Sequence, residues 1–227
     1  MSEIYIDSDE YKIIKHNNTY RIDFDFPQEE LINSLVKTRI INGAISTNHY
    51  KSIKFNASSV KRFDELKECL SIEMVAYLLS SLSIQLDYLI TSYSKTILGY
   101  KPNNIIIINN TKYIFLSGEL IVDIDEDEQI LISYPFNSKT FFNSPELLDI
   151  REIPSFVHYK ISYFSLGCII IYALLLDDEF YVEYLKEKNC KIILNYLNNH
   201  PIKNTKIYWL LSRCLVEDPK KRSILLI

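Results

Sequence analysis

The longest apolar stretch of the chain covers residues 164–176, where nearly every position is apolar or small and no charged residue occurs. It is too long for an ordinary strand and shorter than the roughly 18 residues that indicate a membrane span. A segment that is apolar on every side has to be surrounded by other elements. The pattern therefore predicts a buried helix within residues 159–178, with the rest of the chain packed around it.

Short apolar and alternating segments predict strands. Residues 11–16 and 19–26 form a predicted hairpin, and further short strands are predicted near residues 39–45 and 50–55. A sheet of this size is too small to be stable alone. Residues 105–115 predict a second hairpin, and its first strand is so apolar that we expect it to be buried.

Helical spacing of apolar residues marks the other elements. The first helix is predicted to begin after Asp25, which would cap it, with Pro27 in its first turn. A long helix is predicted over residues 71–93. Tyr208 and Trp209 are expected to pack in the core, and an exposed aromatic patch there would indicate a partner site. Further helices are predicted over residues 63–70, 180–199 and 206–216.

Composition and charge make several classes of partner unfavourable. The 227 residues are 48% hydrophobic, which is enough for a sizeable core in one large domain or two small ones. The net charge of -4 and the lack of a Lys/Arg-rich block give no electrostatic reason to expect nucleic acid or an anionic membrane. The acidic N-terminus predicts no signal peptide, and no stretch is expected to reach the length that spans a membrane. We expect an intracellular protein, cytoplasmic or nuclear, that binds neither nucleic acid nor membrane.

The four cysteines lie far apart in the sequence, and none of them forms a CxxC pair or has a His at metal-ligand spacing. We therefore expect reduced and mostly buried thiols. They are Cys69, Cys168, Cys190 and Cys214.

An acidic segment occupies residues 123–128 and has Asp at alternating positions, as a calcium loop does. Glu128 stands where such a loop needs a turn glycine, and Tyr134 stands where it needs a bidentate Glu. The better interpretation is a solvated loop.

Four segments, in one order along the chain, resemble motifs of the eukaryotic-type protein kinase superfamily. Residues 101–105 (KPNNI) resemble the KPxNI that follows the HRD motif, and residues 144–146 (SPE) resemble the APE motif. Residues 164–167 (FSLG) resemble the WSLG that opens helix F, and residues 214–222 resemble the closing CLxxDPxxR. Each segment alone is a weak signal, whereas four at family spacing are a specific one, covering about residues 60–227.

The resemblance implies an α+β fold of the bilobal, protein-kinase-like type. Residues 1–60 would form a reduced, β-rich N-lobe of five strands and one helix. Residues 61–227 would form a mainly helical C-lobe.

The positions that carry catalysis in such a family lack the required side chains here. The family's catalytic Asp lies two residues before the motif lysine, here Lys101, and Gly99 stands in that position. The family's magnesium-binding Asp would fall in the segment that contains Ser117 and Gly118, which has no carboxylate. Asn104 resembles the second metal ligand, but a single amide is not expected to hold Mg²⁺. Phosphoryl transfer, which depends on positioning and on charge neutralisation, would lack its acids.

The nucleotide-binding features of the first lobe are also missing. No Gly occurs before residue 40, so a Gly-rich phosphate loop cannot be built there. Asp23 stands in the place of the phosphate-binding Lys and would repel nucleotide. Glu30, in the place of the helix C Glu, would have no lysine partner and is expected to face solvent. We expect no cofactor.

Other matching positions are expected to maintain the fold. Glu146 and Arg222 correspond to the family's buried ion pair, and removal of one partner of such a pair costs about 3–5 kcal/mol. Ser162 stands where active kinases have an Asp that anchors the HRD loop, so that anchor is expected to be absent. The other residues expected to maintain the fold, here called the structural set together with Glu146, Ser162 and Arg222, are Ser144, Pro145, Gly167 and Asp218.

The resemblance implies a catalytically inactive pseudokinase that serves as a protein-binding module, a scaffold or an allosteric regulator. Its partner would be a protein, for example a kinase or a peptide segment of a regulator. The alternative is a divergent, active serine/threonine-type protein kinase or another ATP-dependent transferase with relocated groups, such as Glu119 or Asp123. A third interpretation is an inert structural protein whose likeness to kinases is accidental.

Overall fold

The chain folds into a mixed α+β structure with several small sheets, which confirms the α+β class. The computed structural model describes residues 3–135, 141–187 and 189–224. Its strands are β1 (Glu3–Asp7), β2 (Tyr11–His16), β3 (Thr19–Phe24), β4 (Ile45–Thr47), β5 (Ser52–Asn56), β6 (Val60–Arg62), β7 (Lys95–Ile97), β8 (Ile105–Ile108), β9 (Lys112–Phe115), β10 (Ile121–Asp123), β11 (Gln129–Ile132) and β12 (Ser155–His158). Its helices are α1 (Glu29–Val36), α2 (Ile72–Tyr93), α3 (Pro145–Leu148), α4 (Ile161–Leu175), α5 (Glu179–Glu187), α6 (Cys190–Asn195) and α7 (Lys206–Cys214).

The first five strands form one antiparallel sheet in the order β1-β2-β3-β5-β4. The predicted hairpin is confirmed, with Ile13 opposite Ile22 and the turn at Asn17. The strand predicted over residues 39–45 is wrong. Arg39 and Gly43 have positive φ angles of 58° and 69°, which breaks an extended backbone, and β4 begins only at Ile45.

Helix α1 lies between β3 and β4 in the chain and packs on this sheet through Leu31, Ile32 and Leu35. The prediction that Asp25 caps it is wrong, because the backbone N–H of Gln28 donates to Tyr50 O at 2.7 Å and holds the preceding segment in place. The helix therefore begins at Glu29, with Gln28 as its N-cap residue.

The three-stranded sheet β6-β8-β9 lies between two apolar cores. Alternate residues of its strands face opposite sides, as strand geometry requires. The unbroken apolar run of β8 is therefore buried on both faces, which confirms the predicted burial. One face contributes Ile105, Ile107, Tyr113 and Phe115 to the larger, helical core. The other contributes Ile106, Ile108, Ile114 and Leu116 to the core under the first sheet.

Helix α4 runs through the larger core, and most of its residues are fully buried, which confirms the predicted central helix. The long helix α2 is also confirmed, with the Ser71 side chain as its N-cap. The helix predicted over residues 63–70 is wrong. Only a 3₁₀ turn, Phe63–Glu65, forms there. The N–H of Leu70 donates to the carbonyl oxygen of Ala173 in α4, at 2.8 Å, and not to a residue of its own segment.

The helix predicted over residues 180–199 is divided into α5 and α6. Asn189 is extended, with φ at -121°, and its side chain accepts the N–H of Lys191, so it caps a new helix. Helix α7 is confirmed, but the core position predicted for Trp209 is wrong. The buried face of α7 consists of Leu210, Leu211 and Cys214, and Trp209 projects away from it and is 56% exposed.

Helix α2 is long and apolar enough to cross a membrane by length and composition, so the expectation that no stretch reaches that length is wrong. Half of its most apolar window is buried against the rest of the described chain. The cysteines agree with prediction, since all are free and only Cys69 is exposed. Burial raises the pKa of Cys190 to about 11 and that of Cys214 to about 12.

Candidate functional site

The candidate site lies where the connection between β1 and β2 meets the turn that precedes β8. Glu10, in this connection, directs its carboxylate at residues of the KPNNI segment. Its Oε1 lies 3.3 Å from Lys101 Nζ and accepts a hydrogen bond from Asn104 Nδ2 at 3.0 Å. Beside it, the Tyr11 hydroxyl donates to Asn103 O at 3.1 Å.

These contacts are largely removed from solvent. The Asn104 residue is 4% exposed, and the side chains of Glu10 and Lys101 are 16% and 21% exposed. Burial raises the pKa of Tyr11 to about 12, so its hydroxyl remains a proton donor at neutral pH. The lysine and the amide therefore already have an acceptor, and the acceptor comes from the protein itself.

The space above Gly99 is filled by an aromatic ring. A Cβ on Gly99 would lie 2.0 Å from Cδ2 of Phe141, which is itself buried. The segment is fixed on either side, because the N–H of Leu98 donates to Leu120 O and the N–H of Tyr100 donates to Ser165 Oγ, both at 2.7 Å. A carboxylate at this position would have to displace the Phe141 ring.

The segment that contains Ser117 and Gly118 is similarly occupied. Ser117 is fully buried, and a Cβ on Gly118 would lie 1.8 Å from the side-chain oxygen of Gln28. Glu119, the nearest acid in the sequence, is exposed, and Asp123 on β10 pairs with Lys95 at 3.0 Å. Neither carboxylate contacts Lys101 or Asn104 among the described residues.

The residues expected to maintain the fold contact one another closely. Arg222 donates to both oxygens of Glu146, at 2.5 and 2.8 Å, and is fully buried. It also donates to the carbonyl oxygens of Val216 and Glu217, and its guanidinium lies 5.2 Å from the centre of the Phe164 ring.

The remaining positions of the structural set lie at the ends or on the packed faces of helices. Ser144 is the N-cap residue of α3, and Pro145 is its first residue. Asp218 accepts the N–H of Lys220, which lowers the pKa of the Asp218 carboxyl. Gly167 faces Leu215 so closely that a Cβ would lie 3.1 Å from it.

One expectation needs correction at the start of α4. Ser162 accepts a hydrogen bond from the Thr96 hydroxyl at 3.0 Å, and Ser165 accepts the N–H of Tyr100. The helix therefore still anchors the segment before Lys101, through two serine hydroxyls in place of a carboxylate.

The expectation that Glu30 faces solvent without a lysine partner is also wrong. Strand β7 places Lys95 beside α1, and Lys95 Nζ lies 3.3 Å from Glu30 Oε1. Asp23 pairs with Arg21 at 2.8 Å on its own strand. Among the described residues, neither Asp23 nor Glu30 contacts Lys101 or Asn104.

Sequence reasoning did not identify the residues that fill the site. Glu10, Gln28 and Phe141 lie far from the motifs along the chain, and no spacing rule connects them to the positions they occupy. Gln85 was also missed. It is a fully buried side chain that donates to Ser34 Oγ and Phe115 O and accepts the Phe115 N–H, at 3.0–3.1 Å.

Within residues 3–135, 141–187 and 189–224, no three His, Cys, Asp or Glu side chains come close enough to hold a metal ion. In the acidic segment, Asp125 Oδ1 accepts the N–H groups of Asp127 and Gln129, so this carboxylate shapes the loop. Glu128 Oε2 lies 3.4 Å from His158 Nε2, and the segment is mostly exposed, as expected for a solvated loop.

No protein-family model matches this chain, and a search of the curated proteins gives no match. The resemblance to protein kinases therefore rests on the four motif segments of the sequence alone.

Proposed function

We propose that this chain is a catalytically inactive, kinase-like protein that acts as a binding module for another protein. The order of its elements, a five-stranded sheet with one helix followed by mainly helical structure, is the order that the motif resemblance implies. The ion pair between Glu146 and Arg222 joins the two motif segments that the resemblance pairs.

The observation that carries the proposal is the packing at Gly99. An acid that accepts a proton from a substrate hydroxyl needs room for its side chain and access to the substrate. The Phe141 ring takes that room, with Cδ2 at 2.0 Å from where a Cβ would stand. Gly99 is thus packed in the core, and an acidic side chain at this position would have no room.

A second observation supports the same conclusion. The segment from Ser117 to Gly118, where the metal-binding acid would stand, packs against the Gln28 side chain. The acids that follow this segment in the sequence, Glu119 and Asp123, are exposed, and Asp123 pairs with Lys95. The relocated-group alternative would need one of them to move to the site of Lys101 and Asn104.

We propose the sheet formed by β11 and β12 as the surface that contacts the protein partner. Leu131 and Phe156 are directly opposite each other and are 50% and 60% exposed, while the next pair, Ile130 and Val157, is buried. The acidic residues 125–128 directly precede β11 in the chain and are exposed. The partner we propose is an extended segment with alternating apolar and basic residues, whose apolar residues contact Leu131 and Phe156 and whose basic residues pair with this acidic segment.

The nucleotide test is a thermal shift with ATP and Mg²⁺ or Mn²⁺. A ligand that binds the native state raises its stability as RT ln(1 + [L]/Kd), so we expect no saturable shift. A saturable shift that is lost in the Glu119→Gln variant would support the relocated-group enzyme instead.

The partner test is an array of peptides that vary in apolar and basic content. We expect the wild-type protein to bind alternating apolar and basic peptides and the Phe156→Asp variant to lose them. Phe26→Asp, which changes an exposed aromatic residue in the segment before α1, is expected to bind as the wild type does. Equal binding by the Phe156 variant, or no binding by the wild type, contradicts this surface assignment.

A further inference from the structure

Two hydrogen-bond donors converge on one oxygen at the turn before β8. Lys101 Nζ and Asn104 Nδ2 approach Glu10 Oε1 at 3.3 and 3.0 Å. One donor carries a positive charge, and the other comes from an almost fully buried amide. Charged donors directed at a single oxygen are the means by which proteins hold carboxylates and phosphates.

The site needs an acceptor, because a buried polar group without a partner is costly. Glu10 supplies one oxygen to both donors. Its other oxygen, Oε2, is buried and has no hydrogen-bond partner among the described residues. The carboxylate therefore satisfies the donors, while half of its own hydrogen-bonding capacity remains unused.

A second contact holds Glu10 in position. Tyr11, the next residue, is buried and donates its hydroxyl to Asn103 O at 3.1 Å. The connection between β1 and β2 is thus attached to the turn at two neighbouring residues. Lys101, Pro102 and Asn103 also line a cavity of about 410 Å³, whose lining includes the acids Asp64 and Asp178.

We propose that Lys101 and Asn104 form an anion site whose resident ligand is the chain's own Glu10. This tethered carboxylate excludes polyphosphates, such as pyrophosphate or the phosphate chain of a nucleotide, from the site. The inference rests on the proposed function, since it explains how a kinase-like cleft excludes nucleotide as well as lacking catalytic groups.

Tethering gives the carboxylate its advantage over free anions. A group held near its site by a short connection acts at an effective concentration on the order of millimolar. A free polyphosphate has to exceed that value or bind more tightly. Removal of the carboxylate therefore raises the apparent affinity for polyphosphate without adding any contact.

The test is a calorimetric titration of pyrophosphate and of ATP, without metal, into the full chain. We expect Glu10→Ala to bind both at least about ten-fold more tightly than the wild type. Asp9→Ala removes the same charge from the neighbouring exposed residue and is expected to behave as the wild type. Adding Lys101→Ala to Glu10→Ala is expected to abolish the gain.

A second variant keeps the test valid if Glu10→Ala fails to fold. Glu10→Gln keeps the size of the side chain and an acceptor for Asn104, and it is expected to gain affinity for pyrophosphate to a smaller extent. Equal binding by the wild type and both Glu10 variants would overturn the proposal, and so would an equal gain in Asp9→Ala. Phosphate transfer from ATP by the wild type would instead overturn the proposed function.

Discussion

Arg222 is the largest fully buried side chain among the described residues. Its charge is balanced by both oxygens of Glu146, and its remaining N–H groups are directed at backbone carbonyls. A guanidinium that has lost its carboxylate would remain buried and uncompensated, which is far more costly than the loss of an exposed pair.

We therefore predict that Glu146→Ala lowers the free energy of unfolding by about 3–5 kcal/mol, measured by chemical denaturation. Glu152→Ala is the control, because Glu152 is an exposed acid nearby, and its effect should stay within about 0.5 kcal/mol. Similar losses in the two variants would contradict the structural role of the Glu146–Arg222 pair.

The two glycines in the candidate site give a matched pair for testing how the space is filled. Gly99→Ala would bring Cβ against the buried Phe141 ring, and overpacking of this kind costs about 1–3 kcal/mol. Gly118→Ala meets only the flexible end of the Gln28 side chain, which can move, and should cost less.

Combining Gly99→Ala with Phe141→Ala checks the cause, because removal of the ring should remove the clash. Denaturation of the four proteins gives the coupling energy. Simple additivity of the two changes would contradict direct packing of Phe141 on Gly99.

For single residues, the sequence predicts contacts between motif residues but not contacts made by residues outside the motifs. The pairing of Glu146 with Arg222 follows from two motif segments that the resemblance connects. The contacts of Glu10 with Lys101 and of Glu30 with Lys95 join residues far apart in the chain. No periodicity links such residues, so only the fold brings them together.

Among the elements, α2 has a structural role beyond hydrophobic packing. Its Gln85 side chain bonds to the backbone of β9 and to Ser34 of α1, so one buried amide ties three elements together. Without it, the N–H and C=O groups of Phe115 would be buried without these partners.

We predict that Gln85→Leu lowers the free energy of unfolding by at least about 1–3 kcal/mol, the cost of an unsatisfied buried polar group. Hydrogen exchange at the Phe115 amide should accelerate in the same variant. Thr91→Ala, at an exposed position of the same helix, is the control. Unchanged exchange at Phe115 would show that Gln85 does not hold β9.

The elements that could be predicted are those with long or unbroken patterns. Helices α2 and α4 and strand β8 follow directly from their apolar residues. Strands β7 and β10 have three residues each, which is too short for alternation to be visible. The N-terminal start of α1 depends on a backbone hydrogen bond to Tyr50, which no local pattern contains.

For the whole molecule, two partly buried histidines make stability depend on pH. Burial lowers the pKa of His158, although Glu128 partly opposes this effect, and burial lowers the pKa of His200. The unfolded chain therefore binds protons at a higher pH than the folded chain, starting near the ordinary histidine pKa of about 6.5. Stability from this source is present above that pH and is lost as the pH falls through the lowered values.

We predict a lower denaturant midpoint at acid pH than at neutral pH, and a smaller difference for the His158→Gln variant. Denaturation curves at the two pH values provide the measurement. An identical difference in the variant and the wild type would show that His158 does not contribute.

We propose that the molecule is a kinase-like scaffold in which the Phe141 ring and the Gln28 side chain occupy the space that catalytic acids would need. The most direct measurement is transfer of labelled phosphate from ATP by the purified chain, with Mg²⁺ or Mn²⁺ and generic protein substrates. We expect labelling by the wild type to be no greater than the background of the Asn104→Ala variant. Saturable labelling by the wild type that disappears in Asn104→Ala would contradict it.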